Sequence, residues 1–178
     1  MRSNHALQLS YQRYDSSKEK HYLFEPYCLK MHSRRWYVVG RFVSADKVNV
    51  ISLDRVKAID VTEETFELPT DFNAEEFFSE SFGVIVDDGT YDEPVVVRVY
   101  GSVRNYIEDL PLHHSQVLIR QTEDYSDYQF YIRPTIDFLR ILMGFGDELV
   151  VLKPQGLGEM LQEWHVDSAN AYSRVKRD

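Results

Sequence analysis

From Ala6 to Val61 the chain is a succession of short apolar and aromatic runs broken by polar turns, and no helical period develops anywhere in the stretch. Side chains alternate faces along a strand and recur about every 3.6 residues on a helix, so this pattern commits the N-terminal third to β-structure. The runs are Ala6 to Tyr14, His21 to Met31, Arg35 to Val43, Lys47 to Ser52 and Val56 to Val61. The separators Asp15-Ser16-Ser17-Lys18, His32-Ser33-Arg34 and Ser44-Ala45-Asp46 are turn-formers of hairpin length. Five strands in so short a segment favour a sheet that closes on itself to hide its edges, which predicts a small barrel over residues 1–66.

Pro69 ends the extended chain, and Phe72 to Phe78 has the spacing of a short amphipathic helix with Asp71 or Asn73 near its N-cap. Asp87-Asp88-Gly89-Thr90-Tyr91-Asp92-Glu93-Pro94 gathers acids, Gly and Pro, the composition of a linker. Residues 67–93 thus read as a helical connector and acidic linker. The period then changes. Val95 to Tyr100 is a strand, and Ser102 to Leu110 a helix capped by Ser102. Ser115 to Gln121 and Tyr128 to Arg133 are strands across the turn Glu123 to Asp127. A helix from Thr135 to Met143 stops at Gly144 and Gly146, and Leu149 to Leu152 is a last strand. The sum over 94–178, βαββαβ, is the split arrangement of a ferredoxin-like domain. A final helix, Leu157 to Tyr172, carries Leu157, Met160, Leu161 and Trp164 on one docking stripe. The class expected is α+β: a small barrel followed by a ferredoxin-like domain.

The net charge of −9 conceals two parts of opposite sign. Residues 1–57 hold eleven Lys or Arg against five acids, and the remainder nine bases against twenty-four acids. An anionic ligand is drawn to the first part and repelled by the second. The single cysteine, Cys28, excludes an intramolecular disulfide and fits a reducing compartment; without a membrane span or signal-peptide core, a cytoplasmic location is expected.

Trp36-Tyr37-Val38, followed by Val39-Gly40, resembles the tripeptide that names the WYL family, with Val in place of the usual Leu. Leu53-Asp54-Arg55-Val56 resembles that family's Leu-Asp-Arg-Ile. Leu9-Ser10-Tyr11, Pro26-Tyr27 and Ser81-Phe82-Gly83 agree in order, and Leu112-His113-His114-Ser115-Gln116 with Leu152-Lys153-Pro154 is similar to the family's C-terminal extension. The resemblance implies an Sm-like (SH3-like) barrel, then the ferredoxin-like extension. It also implies a bacterial transcription regulator's sensing module, which usually follows a helix-turn-helix DNA-binding domain and responds to a nucleic acid or nucleotide-like ligand. Asn49 stands where the family usually has an arginine, and Ser52 where the residue is often basic, which removes forked donors for phosphate. Met1 lies almost at the first strand, so the chain reads either as a fragment of a longer regulator or as a stand-alone sensor.

The residues expected to bind ligand are Tyr11, Arg34, Arg35, Trp36, Tyr37, Asn49 and Arg55. Trp36 and Tyr37, adjacent on a strand, face opposite sides, with at least one packed in the core; the other ring could stack on a base while the arginines meet phosphates. For Arg55 a structural ion pair with Asp54 or another acid stands equally open. His113-His114-Ser115 with Asp109 nearby follows no hydrolase spacing and reads as a turn. Cys28 and His32 lack a second pair of ligands, the Asp87 to Glu93 loop lacks the alternation of a calcium loop, and no Gly-rich phosphate loop occurs. No catalytic residue, metal or cofactor is therefore expected. The leading expectation is a non-enzymatic sensor of a nucleic-acid or nucleotide-like anion, working as a homodimer; the alternative is an assembly module of the regulator with no ligand of its own.

Overall fold

The computed structural model describes residues 3–45, 47–79, 81–86, 89 and 91–175. It is a mixed α+β structure with two antiparallel sheets and four α-helices among the described residues. The chain divides into two compact units, Met1–Ser79 and Glu80–Asp178.

The first unit contains β1 (His5–Tyr11), β2 (Lys20–His32), β3 (Arg35–Phe42), β4 (Val48–Ser52) and β5 (Val56–Thr65), in the order β4-β3-β2-β1-β5. Ser33 and Arg34, with φ of 48° and 64°, turn the β2–β3 hairpin in the left-handed conformation that matches the twist of paired strands. β4 and β5 are opposite edges of this sheet, yet only a three-residue 3-10 turn, Leu53–Arg55, separates them. Across a flat sheet of five strands the outer two would lie about 19 Å apart. The four residue steps from Ser52 to Val56 reach at most about 14 Å. The sheet must therefore curl.

It does not close. Among the described residues no ladder joins β4 to β5, which corrects the expected closed barrel. β5 leaves the turn on the β1 ladder, beginning at Tyr11↔Val56, and β4 is held on the β3 ladder, so the two edges meet only at the turn that links them. The concave face buries Leu9, Phe24, Val38 and Ile51, with Leu7, Tyr11, Phe42, Leu53 and Val56 packed against them. Towards the β5 edge that face is bare: Ile59 and Val61, opposite Leu9 and Leu7, are exposed. On the other side of β3, Val39 is fully buried. An aromatic chain runs from Phe66 through Tyr27 and Phe72 to Phe77 and Phe78 of α1 (Ala74–Phe78), with ring centroids 5.0–5.9 Å apart. Asn73 is the N-cap of α1, its side chain accepting from the Glu75 and Glu76 amides.

The second unit runs β6 (Glu93–Tyr100), α2 (Val103–Asp109), β7 (Val117–Gln121), β8 (Tyr125–Ile132), α3 (Ile136–Gly144), β9 (Leu149–Lys153) and α4 (Gln155–Arg174), with strand order β7-β8-β6-β9. This is the β-α-β-β-α-β succession read from the sequence, in an open sheet. β8 begins at Tyr125, ahead of the expected Tyr128, because Thr122 and Tyr125 close a tight turn. The Thr122 amide donates to the Tyr125 carbonyl at 2.9 Å, and the Tyr125 amide donates to the Thr122 hydroxyl at 3.1 Å. Of the acidic linker, Asp87 and Asp88 lie outside the described residues, and Glu93 already belongs to β6. Val95, Val97, Val99, Phe130, Ile132, Phe138 and Leu142 form a buried core, to which α4 adds Leu157 and Leu161. Ser102 occupies the N-cap of α2, but its hydroxyl makes no capping bond; the Glu148 carboxylate instead accepts from the Ser102 amide at 3.0 Å. Among the described residues no helix is long and apolar enough to cross a membrane.

Candidate anion-binding site

The basic residues expected to bind ligand come from three elements of the first unit, the β2–β3 hairpin tip, β3 and the 3-10 turn. Arg34 sits at the tip of the β2–β3 hairpin, exposed. Arg35, the first residue of β3, reaches back so that its Nη1 lies 3.2 Å from Asp54 Oδ2 and 3.5 Å from the Tyr14 hydroxyl. Those two contacts, the hydroxyl first and then the Asp54 charge, hold the Arg35 guanidinium above its ordinary pKa. Arg55 leaves the 3-10 turn with its guanidinium 4.6 Å from the centre of the Tyr14 ring, in the geometry of a cation–π contact.

Tyr14 therefore joins the two arginines, one on its hydroxyl and one on its face. It is 69% exposed. Sequence reading placed Tyr14 at the end of the first strand and gave it no role; the structure ends β1 at Tyr11, and Tyr14 lies in the turn beyond. The one signal for it was its setting, an aromatic between Arg13 and Asp15 in a polar turn. Arg13 in turn forms a two-pronged pair with Asp15, at 2.9 and 2.8 Å. The Asp54 carboxylate pairs with Arg35, while the charge of Arg55 acts on Asp15. Arg55 Nε is buried with no hydrogen-bond partner among the described residues, and so is Ser52 Oγ at the start of the same turn. Buried polar atoms without partners are uncommon, and each invites a ligand or a water.

The remaining expected residues diverge. Trp36 and Tyr37 do face opposite sides of β3, but neither is buried: Trp36 is 50% exposed on the concave side, opposite Met31, and Tyr37 is half-buried between Lys30 and Ser52. Trp36, Met31 and Leu29 form an exposed apolar lip on that side. Tyr11 is half-buried against the Leu9 and Phe24 cluster and serves the core. The Asn49 amide donates to the Lys47 carbonyl at 2.8 Å, so it pins its own turn. Cys28 is partly buried, and desolvation pushes its thiol pKa up. His113 Nδ1 lies 2.7 Å from Ser115 Oγ, yet that hydroxyl also donates to the Tyr131 carbonyl and accepts from the Tyr131 amide, a structural pin beside β8 rather than a poised nucleophile. Among the described residues no group of three or more His, Cys, Asp or Glu is placed to hold a metal ion.

Family models match two stretches of the chain: the WYL domain over residues 1–61 and the WCX domain over residues 91–166. Among solved structures, proteasome accessory factor B/C (PafBC) of Arthrobacter aurescens is similar at 19% identity over 89% of this chain and 24% of its own, with a TM-score of 0.41. A structure described as a CRISPR Cas-related protein is similar at 15% identity over 97% of this chain and 49% of its own, with a TM-score of 0.58; that likeness concerns the fold alone. The chain thus spans about a quarter and about half of the lengths of these two structures. No curated protein matches the sequence. The two matched stretches fall one in each compact unit, and the chain belongs to the WYL-domain family, with a WYL domain followed by a WCX domain as its C-terminal extension.

Proposed function

We propose that this chain is the regulatory module of a transcription regulator and binds a nucleic-acid or nucleotide-like anion through Tyr14, Arg35 and Arg55. The observation that carries the reading is the convergence of two guanidinium groups on one exposed ring, with Arg55 Nε buried and lacking a partner. Guanidinium groups meet phosphate by paired hydrogen bonds, and an exposed aromatic offers a base a face to stack on. Trp36 at the apolar lip supplies a second stacking surface, and Arg34 at the hairpin tip a peripheral charge. Asp54 competes with the ligand for Arg35. In this reading residues 1–66 are an opened Sm-like wall and 67–93 a connector. Residues 94–178 are a ferredoxin-like extension, supported by the strand order β7-β8-β6-β9. The module is non-enzymatic and reports to a helix-turn-helix DNA-binding domain of the regulator.

Fluorescence anisotropy with a labelled single-stranded oligonucleotide at two salt concentrations tests it. Binding saturates at low salt and weakens as salt rises. Arg55→Ala and Arg35→Ala weaken it by roughly ten-fold each, at about 1–2 kcal/mol per charge-assisted contact, and Asp54→Asn tightens it. A folded Arg55→Ala protein with wild-type affinity, or no saturable binding at low salt, defeats the assignment.

One observation favours a second reading, an assembly module. β7 is an edge strand exposed along its whole length, with Val117, Leu118 and Ile119 bare. Sedimentation decides it: a dimer abolished by Ile119→Lys, in a chain that binds no oligonucleotide, selects assembly.

A further inference from the structure

A groove of about 690 Å³ runs between β9 and α4 in the second unit, a size that accommodates a small organic ligand. Its floor is the core itself, at Leu142, Leu149 and Leu161, all buried. Its walls are apolar side chains left open to solvent, Leu152 at 40% exposure and Val166 at 53%. The depth has a local cause. A Cβ at Gly158 would come within 2.9 Å of the Val151 carbonyl oxygen, so only glycine lets α4 lie this close to β9.

The polar residues of the groove include two carboxylates and no Lys or Arg. Asp147 and Glu159 bring the carboxylates, and Gln155, Gln162 and His165 bring neutral or donor groups. Gln155 Nε2 donates to Glu159 Oε1 at 2.7 Å, one helical turn along α4, an exposed contact between two residues that line the groove. The surroundings share the sign: residues 80–178 carry seventeen acids against nine bases. An anionic ligand would meet this field as repulsion, and a purely apolar one would gain nothing from the carboxylates.

We propose that this groove is a second binding site, for a small amphipathic cation whose apolar body lies on the leucine floor and whose ammonium or amidinium group meets Glu159 and Asp147. The chain then carries two sites of opposite charge preference, an anion site in its first unit and a cation site in its second.

The test uses the full chain and three probes of equal length, n-octylammonium, n-octanoate and n-octanol, titrated by calorimetry and by chemical-shift perturbation. Octylammonium is expected to saturate and to bind about ten-fold tighter than octanoate, since each partly exposed charge contact is worth about two- to five-fold and its sign reverses between the two probes. Glu159→Gln and Asp147→Asn each weaken octylammonium by about two- to five-fold. Val166→Lys, at an exposed wall position, abolishes binding without changing the melting temperature, and Glu123→Gln, outside the groove, changes nothing. Equal binding of all three probes overturns the proposal, as does saturable binding of none. A concentration-dependent dimer that Val166→Lys dissolves while octylammonium stays silent also overturns it, assigning the groove to a second copy of the chain.

Discussion

The two units solve the same problem, a sheet with an apolar face, by different means. In the second, the sheet is covered: α3 and α4 lay Phe138, Leu142, Leu157 and Leu161 against Val95, Val97, Val99, Phe130 and Ile132, and thirteen buried residues make one core. In the first, the sheet covers itself by curling, and four buried residues, Leu9, Phe24, Val38 and Ile51, form the cluster on its concave side. Because curling stops short of closure, Trp36, Met31, Ile59 and Val61 stay in contact with solvent on the face that elsewhere is core. Apolar burial is the main stabilising term, so the second unit holds the larger share of it. The first unit keeps open aromatic and apolar surface beside paired arginines, the material of a recognition surface.

The largest effect expected from this contrast is in the second core. Phe138 is fully buried and packs against Phe82 and Phe130 at centroid distances of 5.5 and 5.6 Å. Phe138→Ala should cost about 3–5 kcal/mol, read as a loss of hydrogen-exchange protection throughout β6, β8 and α3. A cost under about 1 kcal/mol would mean that the core is loosely packed and the contrast is wrong. In the first unit the corresponding weak point is Gly40. A Cβ there would run into the Glu25 carbonyl and the Phe24 ring, because β2 and β3 approach closely beside the bulge between Pro26 and Cys28. Gly40→Ala should cost about 1–3 kcal/mol by urea denaturation. It should also lower oligonucleotide affinity, because the strand that carries Arg35 and Trp36 is displaced.

How much of this was legible beforehand follows the same division. The elements of the second unit could be read because each has a local signature: alternating Val95, Val97 and Val99, the stripe of α4, the glycines after α3. The β2–β3 hairpin was equally plain. Openness of the first sheet was not, because strand count and turn length set the need to curl, whereas closure depends on which ladder β5 joins, a long-range choice that no local pattern encodes. The same holds for the proposed anion site. Arg35 and Arg55 were visible as charged residues near the Trp36-Tyr37 pair, but Tyr14, which brings them together, is about twenty residues from one and forty from the other. Asn49 and Tyr11 were chosen by segment; the Asn49 amide bonds the Lys47 carbonyl and the Tyr11 ring packs partly buried against the core cluster, contacts no local pattern encodes.

Smaller effects sharpen the contrast at the joints. Asn73 accepts from two amides at the start of α1, and its loss leaves those donors to water. Asn73→Ala should destabilise the first unit by about 1 kcal/mol. Since Phe77 and Phe78 ride on that helix, the loss should appear first in the exchange rates of α1 and of the β2 segment around Tyr27 and Lys30, whose side chains meet the aromatic chain. Loss of protection elsewhere, with α1 and β2 unchanged, would show that Asn73 does not hold the start of α1.

The smallest effect lies beside the proposed anion site. Hydrogen bonds from Arg13 hold the Asp15 carboxyl below the usual carboxylate range against the opposing effect of desolvation, and the charges of Arg13 and Arg55 add to the lowering. A carboxyl depressed in the folded state contributes stability above its unfolded pKa of about 3.9, and the contribution disappears as pH falls through the folded value. Both partners are about two-thirds exposed, so salt screens the pair and it adds little to folding. Its consequence is for binding: Asp15 stays ionised at neutral pH, and its charge reaches Arg55. Carboxyl NMR titration should find the Asp15 midpoint moving up in Arg13→Ala. Asp15→Asn, by removing a negative charge that a phosphate on Arg55 would approach, should tighten oligonucleotide binding by about two-fold at low salt and leave it unchanged at high salt. An unmoved midpoint would mean that the pair does not persist in solution, and an unmoved affinity would place the phosphate on the Arg35 side of Tyr14, away from Asp15.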